Sequence, residues 1–158
     1  MQATSAIIAI AASSFLLGTP VRPVSHTDPN DACSLLTQAQ VSAALGLTMD
    51  MGRRVVYNNP KMCAWAPPGG ATANGPKVTL TLVTSDAFDR SKTPANGATM
   101  TPVKGVGDEA FYITGAGTTT ALSVRKGTST FQVRVGGFQG EKAMQIAKTL
   151  AMNVLSNL

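Results

Sequence analysis

The stretch TALSV (residues 120–124), followed by the turn KGTS (126–129) and by FQVRV (131–135), decides the fold of this chain. Both arms alternate apolar and polar residues, and the turn between them contains a glycine, so the stretch predicts a β-hairpin. Pairing Val124 with Phe131 puts the large apolar side chains of both arms on one face. The same register pairs Leu122 with Val133 and Thr120 with Val135.

The segment after the hairpin, from Glu141 to the C-terminus, has a helical period instead. Its apolar side chains recur at spacings of three and four residues and form one stripe. An amphipathic helix beside strands with one apolar face predicts two layers, a sheet with helices on one side. The stripe consists of Ala143, Ala147, Leu150, Ala151, Val154 and Leu158.

A short helix is predicted near the N-terminus, because Thr37 and Gln40 form a capping box and Gly46 supplies a left-handed stop. Strands and helices do not alternate regularly along the chain. The predicted fold is therefore α+β, a mainly antiparallel sheet with the short N-terminal helix and the C-terminal amphipathic helix packed on one face. Further strands are predicted at residues 53–57, 63–65, 77–84 and 111–113, a helical turn at 86–92 and a loop at 93–101.

The N-terminal segment indicates export. An apolar run over residues 6–18 has the length of a signal-peptide core and is too short for a membrane span, although no basic residue precedes it. We therefore predict a signal peptide and flexible leader over residues 1–31 and a single α+β domain over residues 32–158. The mature protein is predicted to be secreted or periplasmic and to have no transmembrane span.

The chain has two cysteines, Cys33 and Cys63. Two cysteines in an exported protein usually pair, and this loop would stabilise the fold by about 3.5 kcal/mol in the chain-entropy model. A redox or metal pair is the alternative, but the spacing is not Cys-x-x-Cys and no histidine lies nearby. We predict a structural disulfide, no metal site and no cofactor.

The formal net charge is +5, with the basic residues scattered along the sequence. A dense basic stripe interleaved with aromatic residues is absent, which argues against specific nucleic-acid binding. The two adjacent basic pairs, Arg53-Arg54 and Arg125-Lys126, are candidates for contact with a ligand or partner, against plain solvation as the alternative. Trp65 is a further candidate, although core packing near Cys63 is the favoured interpretation.

Three short motifs resemble a group of small exported bacterial proteins and lipoproteins of unknown function, many of them actinobacterial. They are the Cys-Ser-Leu-Leu-Thr start at Cys33, the Cys-x-Trp strand at Cys63 and the Gly-Val-Gly-Asp turn at Gly105. The closing strands and helix are distantly similar to the extracellular sensor domain of mycobacterial receptor kinases. The resemblance implies a secreted α+β module without assigned function. Cys33 lies too far behind the apolar run to be a lipid-anchor cysteine.

No catalytic residue is predicted, because the lone histidine, His26, lies in the leader and both cysteines are expected to pair. The favoured hypothesis is an envelope or secreted binding module for an unknown protein, glycan or small ligand. The alternative is a secreted inhibitor or immunity-type protein that acts through the loop from Pro67 to Pro76. A carboxylate-based hydrolase is less favoured; its acids would come from the pairs Asp86 with Asp89 and Asp108 with Glu109. The sequence does not indicate an oligomeric state.

Overall fold

In the computed structural model, which describes residues 28–93, 97–115 and 119–158, seven strands form one antiparallel sheet. The predicted leader before Asp28 lies outside the described residues. The strands are β1 (Arg53–Arg54), β2 (Met62–Trp65), β3 (Lys77–Leu82), β4 (Thr99–Val103), β5 (Glu109–Thr114), β6 (Thr119–Lys126) and β7 (Ser129–Gly136). Their order across the sheet is β1-β2-β3-β7-β6-β5-β4. The last strand of the chain, β7, therefore lies between β3 and β6 and joins the two halves of the sheet.

The predicted hairpin is confirmed as β6 and β7, in the predicted register with Val124 opposite Phe131. Gly127 in its turn has a φ of 56°, which glycine adopts without strain. On its other side β7 pairs with β3, where Leu80 lies opposite Val133. The apolar rows of the three strands are therefore continuous, and together they form the floor of the main core.

The helix α3 (Gly140–Leu155) packs on these apolar rows at β6 and β7. The helix α1 (Gln38–Leu45) packs against α3 and contributes Val41 and Leu45 to the same core. The capping box of α1 is confirmed, since the Thr37 hydroxyl accepts the Gln40 N–H and the Gln40 side chain accepts the Thr37 N–H. The predicted α+β fold is thus confirmed. Leu158 lies beyond the end of α3 and is exposed, whereas the buried stripe of the helix is Ala143, Ile146, Ala147, Leu150, Ala151 and Val154.

A third helix, α2 (Ser85–Arg90), lies on the opposite face of the sheet. Its Phe88 packs against Phe111, with ring centroids 5.2 Å apart. The next residue of β5, Tyr112, faces the other way and donates its hydroxyl to the Met144 carbonyl of α3. The prediction of helices on one side only was therefore wrong for α2, because a six-residue helix has too short a pattern to indicate the face on which it packs.

The two edge strands differ most from the predicted elements. β1 ends at Arg54, although the pattern predicted a strand up to Tyr57. β4 begins at Thr99, inside a predicted loop, and contains Pro102. Proline is tolerated on edge strands because one side of the strand needs no hydrogen-bond donors. Edge strands also have fewer neighbours, so their alternation is weaker and their limits are harder to predict.

The predicted disulfide between Cys33 and Cys63 is confirmed. It joins the segment before α1 to β2. Next to it, the Ala32 N–H donates to the Pro60 carbonyl at 2.8 Å, and the Asp31 carboxylate forms an ion pair with Arg54. The N-terminal segment of the domain is therefore fastened to the β1–β2 edge of the sheet by a covalent bond, a backbone hydrogen bond and an ion pair.

Candidate binding site

The five binding candidates from the sequence lie at two separate places. Arg53, Arg54 and Trp65 belong to β1 and β2 at one edge of the sheet, whereas Arg125 and Lys126 end β6. Two strands, β3 and β7, separate β2 from β6. The structure therefore does not unite these five residues in one site.

Trp65 belongs to the main core. Its side chain is 1% exposed and shares the helix-covered face of β2 with Cys63. The indole Nε1 is buried and has no hydrogen-bond partner in the described part of the chain. The ring therefore packs in the core, and the little of it that is exposed borders an open cavity that Arg53 also lines.

Gly52 makes room for this ring. A Cβ added to Gly52 would lie 2.7 Å from the Cys63 Sγ and 2.7 Å from the indole Nε1 of Trp65. We expect Gly52→Ala to lower the free energy of unfolding by about 1–3 kcal/mol, as overpacking of a filled core does. Gly115→Ala is the matched control, because among the described residues the nearest atom to its added Cβ, that of Ala98, is 3.7 Å away. Chemical denaturation of both variants measures the difference; equal stability losses would contradict the close packing at Gly52.

Two of the four cationic candidates are paired with single carboxylates. Arg54 forms an ion pair with Asp31, and the Lys126 Nζ lies 2.8 Å from a carboxylate oxygen of Asp108. These contacts link neighbouring segments of the fold and neutralise both cations. Neither side chain is left free to attract an anionic ligand.

Arg125 belongs to a charged cluster that holds α2 on the sheet. Its guanidinium lies 4.4 Å from the ring centroid of Phe88 and 2.8 Å from a carboxylate oxygen of Asp89. A carboxylate oxygen of Glu109 lies 3.6 Å from the Arg125 guanidinium. The Lys92 Nζ pairs with both acids, at 3.0 Å from Asp89 and 2.7 Å from Glu109. The cluster thus has an internal partner for each of its charges, and its evident role is to fasten α2.

The carboxylates near these cations are poor candidates for a general acid. Hydrogen bonds from Lys92 and then Arg125 hold the pKa of Asp89 below its ordinary value, and the hydrogen bond from Lys126 does the same for Asp108. A glycosidase acid needs a raised pKa to remain protonated near neutral pH. In the described ranges, no three His, Cys, Asp or Glu residues are grouped so that they could hold a metal ion.

Arg53 differs from the other three cationic candidates. No carboxylate of the described residues lies within ion-pair distance of it. It borders an open cavity of about 480 Å³ on the β1–β2–β3 part of the sheet, which we call the edge cavity. The lining residues are Asp50, Met51, Arg53, Ala64, Trp65, Ala66, Gly69, Gly70, Ala71, Lys77 and Thr79.

The edge cavity lies mainly on the face of the sheet away from α1 and α3. Ala64 and Thr79 are cross-strand partners there, and small side chains at these positions leave space above the strands. A turn at Gly69 and Gly70 borders the cavity, and both glycines have φ values above 90°, in a region that side chains rarely adopt. The arrangement is a small-residue floor with a glycine turn at its margin.

Two cations and one carboxylate share the lining of this cavity. Lys77 begins β3, and its Nζ donates to the Ala73 carbonyl at 3.2 Å. Asp50 is the one acidic residue of the lining, and it is not within 4 Å of either cationic group. The described lining therefore has a net positive charge, with Arg53 and Lys77 both free to contact an anion.

Sequence reasoning missed Lys77 as a site residue, although a signal was present. In the alternating strand, Lys77 and Thr79 occupy the positions between the apolar ones and so face away from the core. The loop from Pro67 to Pro76 was correctly located, and its glycine turn borders the cavity. The sequence did not indicate that β3 pairs with β2. This pairing brings Lys77 and Arg53 to the same cavity.

Among known proteins, no family model, no curated protein and no solved structure matches this chain. The resemblance to exported bacterial proteins of unknown function therefore stays a prediction that rests on three short motifs. Among the helices of the described residues, none has both the length and the apolar character that a membrane crossing requires.

Proposed function

We propose that this protein is an exported, non-catalytic binding module of the cell envelope, and that the edge cavity recognises an anionic group of its ligand. The observation that carries the proposal is the pair of cations, Arg53 and Lys77, which border one open cavity without a carboxylate partner. Sites for small ligands are concave, with volumes of about 300–1,000 Å³ and a few polar groups that set orientation. The edge cavity has this size and this kind of lining.

The charge of the surrounding surface favours an anionic ligand. On the same face, the cross-strand row that contains Arg53, Ala64 and Thr79 continues to Arg134 on β7. Arg134 is exposed, and its contact is a neutral one, a hydrogen bond to the Gln132 side chain at 2.7 Å. Such a row attracts a carboxylate or phosphate over several ångströms before contact. A glycan or small molecule with a carboxylate group fits the combination of positive charge and a floor of small side chains.

Export is supported by the disulfide, because disulfides persist in oxidising compartments and are rare in the cytosol. The apolar run over residues 6–18 lies outside the described residues, and its role as a signal peptide stays a prediction. A binding role is further supported by the pairing of both cysteines and by the lowered pKa of Asp89 and of Asp108. These features leave few groups for nucleophilic or acid catalysis.

The inhibitor hypothesis receives less support at the loop from Pro67 to Pro76. This loop contains proline, glycine, alanine, threonine and asparagine but no aromatic or large apolar residue. Loops that block a partner usually insert an anchor side chain into a pocket. These residues therefore favour a role for this loop as one wall of the edge cavity.

The proposal is tested by binding measurements on the purified protein. We expect uronic-acid oligosaccharides to bind in isothermal titration calorimetry and their neutral counterparts to bind at least about tenfold more weakly. Replacing both Arg53 and Lys77 by alanine should weaken binding of the acidic probe by about tenfold or more, since a hydrogen bond to a charged group contributes about 1.5–3 kcal/mol. Lys148→Ala, on the exposed face of α3, is the matched control and should leave the affinity unchanged.

Two results would contradict this function. One is equal affinity of the double variant and the wild-type protein for every acidic probe that binds. The other is turnover of a glycan, ester, peptide or peptidoglycan substrate that disappears in Asp108→Asn or Glu109→Gln, which would revive the hydrolase hypothesis.

A further inference from the structure

The turn between β1 and β2, residues 55–61, exposes large apolar side chains that the core does not use. The exposed fraction is 89% for Tyr57, 56% for Val56 and 52% for Val55. All other residues of the turn except Pro60 are exposed as well. We call residues 55–61 the tyrosine loop. Contiguous exposed apolar residues mark interaction surfaces in folded proteins, and tyrosine is among the residues enriched at the centres of protein interfaces.

The tyrosine loop is ordered by hydrogen bonds within it and to the start of β2. The Asn59 N–H donates to the Val56 carbonyl at 2.9 Å, and the Asn59 side chain accepts the Lys61 N–H at 2.9 Å. At the start of the loop, the Val55 N–H donates to the Met62 carbonyl at 3.2 Å. These bonds use backbone and amide groups only, so the apolar side chains remain free.

The base of the loop is fastened to the N-terminal segment. Pro60 accepts the Ala32 N–H, and the Lys61 Nζ lies 3.4 Å from the Asn30 side-chain oxygen. The disulfide from Cys33 ends at Cys63, two residues beyond Lys61. A loop that is ordered before binding loses less conformational entropy when it binds. The disulfide therefore also supports the presentation of Tyr57.

We propose that the tyrosine loop is a docking element that inserts Tyr57 into an apolar cleft of a protein partner whose rim is acidic. The charge of the loop and its neighbours supplies the argument for the rim. From Met51 to Lys61 the sequence has three basic residues and no acidic one, and Asp50, just before this range, is not within ion-pair distance of Arg53. Of the three basic residues, only Arg54 forms an ion pair among the described residues. Arg53 and Lys61 thus flank the apolar tip with unneutralised positive charge, which complements carboxylates on a partner.

This charge also argues against a second copy of the chain as the partner. Two tyrosine loops that met would bring Arg53 and Lys61 of both copies together, and the net charge of the chain is +5. Of the eight acids of a second copy, four are already paired with its own cations: Asp31, Asp89, Asp108 and Glu109. Like charges at an interface are unfavourable, whereas a separate acidic protein meets no such penalty.

A lipid surface is the competing occupant, and the loop is poorly built for it. Recognition of anionic lipids usually needs a cluster of about four to eight basic residues. The two unneutralised cations beside the tyrosine loop fall below that number of basic residues. Addition of a partner strand to the sheet edge is also disfavoured, because β1 has only two residues. Insertion of side chains into a cleft is the mode that remains.

The proposal goes beyond the function proposed for the edge cavity and is tested separately. A photo-crosslinking amino acid is placed at position 57 of the full chain, and at position 152 on the exposed side of α3 as the control, in the cells that export the protein. We expect position 57 to give a saturable adduct of one defined mass and position 152 not to give it. The partner is then purified and titrated with the wild-type protein.

Tyr57→Ala should weaken this purified complex by at least tenfold, and Tyr57→Phe by less, since the ring supplies most of the contact. The association rate should fall as salt is added, because the charged rim steers the encounter. Tyr57→Ala should leave both the thermal midpoint and the binding of acidic probes in the edge cavity unchanged. Those two readouts separate a failure of this proposal from misfolding and from a failure of the proposed function.

Four outcomes would overturn the docking proposal. The first is the absence of any adduct at position 57 above that at position 152. The second is an adduct that proves to be a second copy of this chain. The third is a partner complex whose affinity Tyr57→Ala does not change. The fourth is Tyr57-dependent binding to vesicles of equal parts phosphatidylglycerol and phosphatidylcholine, which would assign the loop to a lipid surface.

Discussion

Leu150→Ala is expected to lower the free energy of unfolding by about 2–5 kcal/mol. Leu150 is fully buried in the C-terminal half of α3, the helix that packs on the hairpin of β6 and β7. Its truncation removes transfer free energy and leaves a cavity that the close-packed neighbours fill only in part. Chemical denaturation with a two-state fit measures the loss, and the denaturation midpoint should shift without a change in slope.

Lys148→Ala, two residues earlier on the exposed side of the same helix, is the control for helix propensity and for expression. It should change stability by no more than about 0.5 kcal/mol, as surface substitutions usually do. A loss of that small size for Leu150→Ala itself would mean that α3 is a peripheral element. The packing of α3 on the sheet, and with it the helical side of the main core, would then be refuted.

Removal of the disulfide should have an effect of similar size. Replacing both Cys33 and Cys63 by serine is expected to lower the free energy of unfolding by about 2–5 kcal/mol, the usual loss for a native disulfide in a small secreted domain. The two residues are 30 positions apart, so the bond restricts a long loop of the unfolded chain. Cys63 is also fully buried, and a serine hydroxyl there would need a hydrogen-bond partner.

The wild-type protein supplies the control for this prediction. A reducing agent should destabilise the wild-type protein but leave the double variant unchanged. Mass spectrometry of protein purified from its native cells without reductant should find no free thiol. Two free thiols in that material would refute the disulfide and leave the base of the tyrosine loop fastened by hydrogen bonds alone.

The elements that could be predicted from the sequence depend on neighbours within a few residues or on one matching partner strand. The capping box of α1 needs only Thr37 and Gln40, and the stripe of α3 repeats within its own length. The hairpin register follows because a slip by one residue would turn Leu122 and Val133 out of the core. The disulfide could be predicted for a similar reason, since two cysteines allow only one pairing.

The candidate site depends on contacts that no short segment contains. Arg125 and Arg53 look alike in the sequence, each in an adjacent basic pair, yet Arg125 is paired with Asp89 and Glu109 while Arg53 borders a cavity. The difference arises because the packing of α2 on the second face brings Asp89 to Arg125, 36 residues away. The pairing of β3 with β2 likewise brings Lys77 to the cavity of Arg53.

The sequence by itself determined the fold class, the register of the central hairpin, the two helices of the main core and the disulfide. Side-chain period and helix caps act between residues close in the chain, and two cysteines allow only one pairing. Only the tertiary structure decided the face that α2 covers, the joining of β7 to β3 and the charges that remain unpaired. It also decided that the segment from Val55 to Tyr57 is exposed, although its composition predicted a strand. Whether a charge or an apolar side chain is free depends on long-range packing, and that is a property of the whole folded chain.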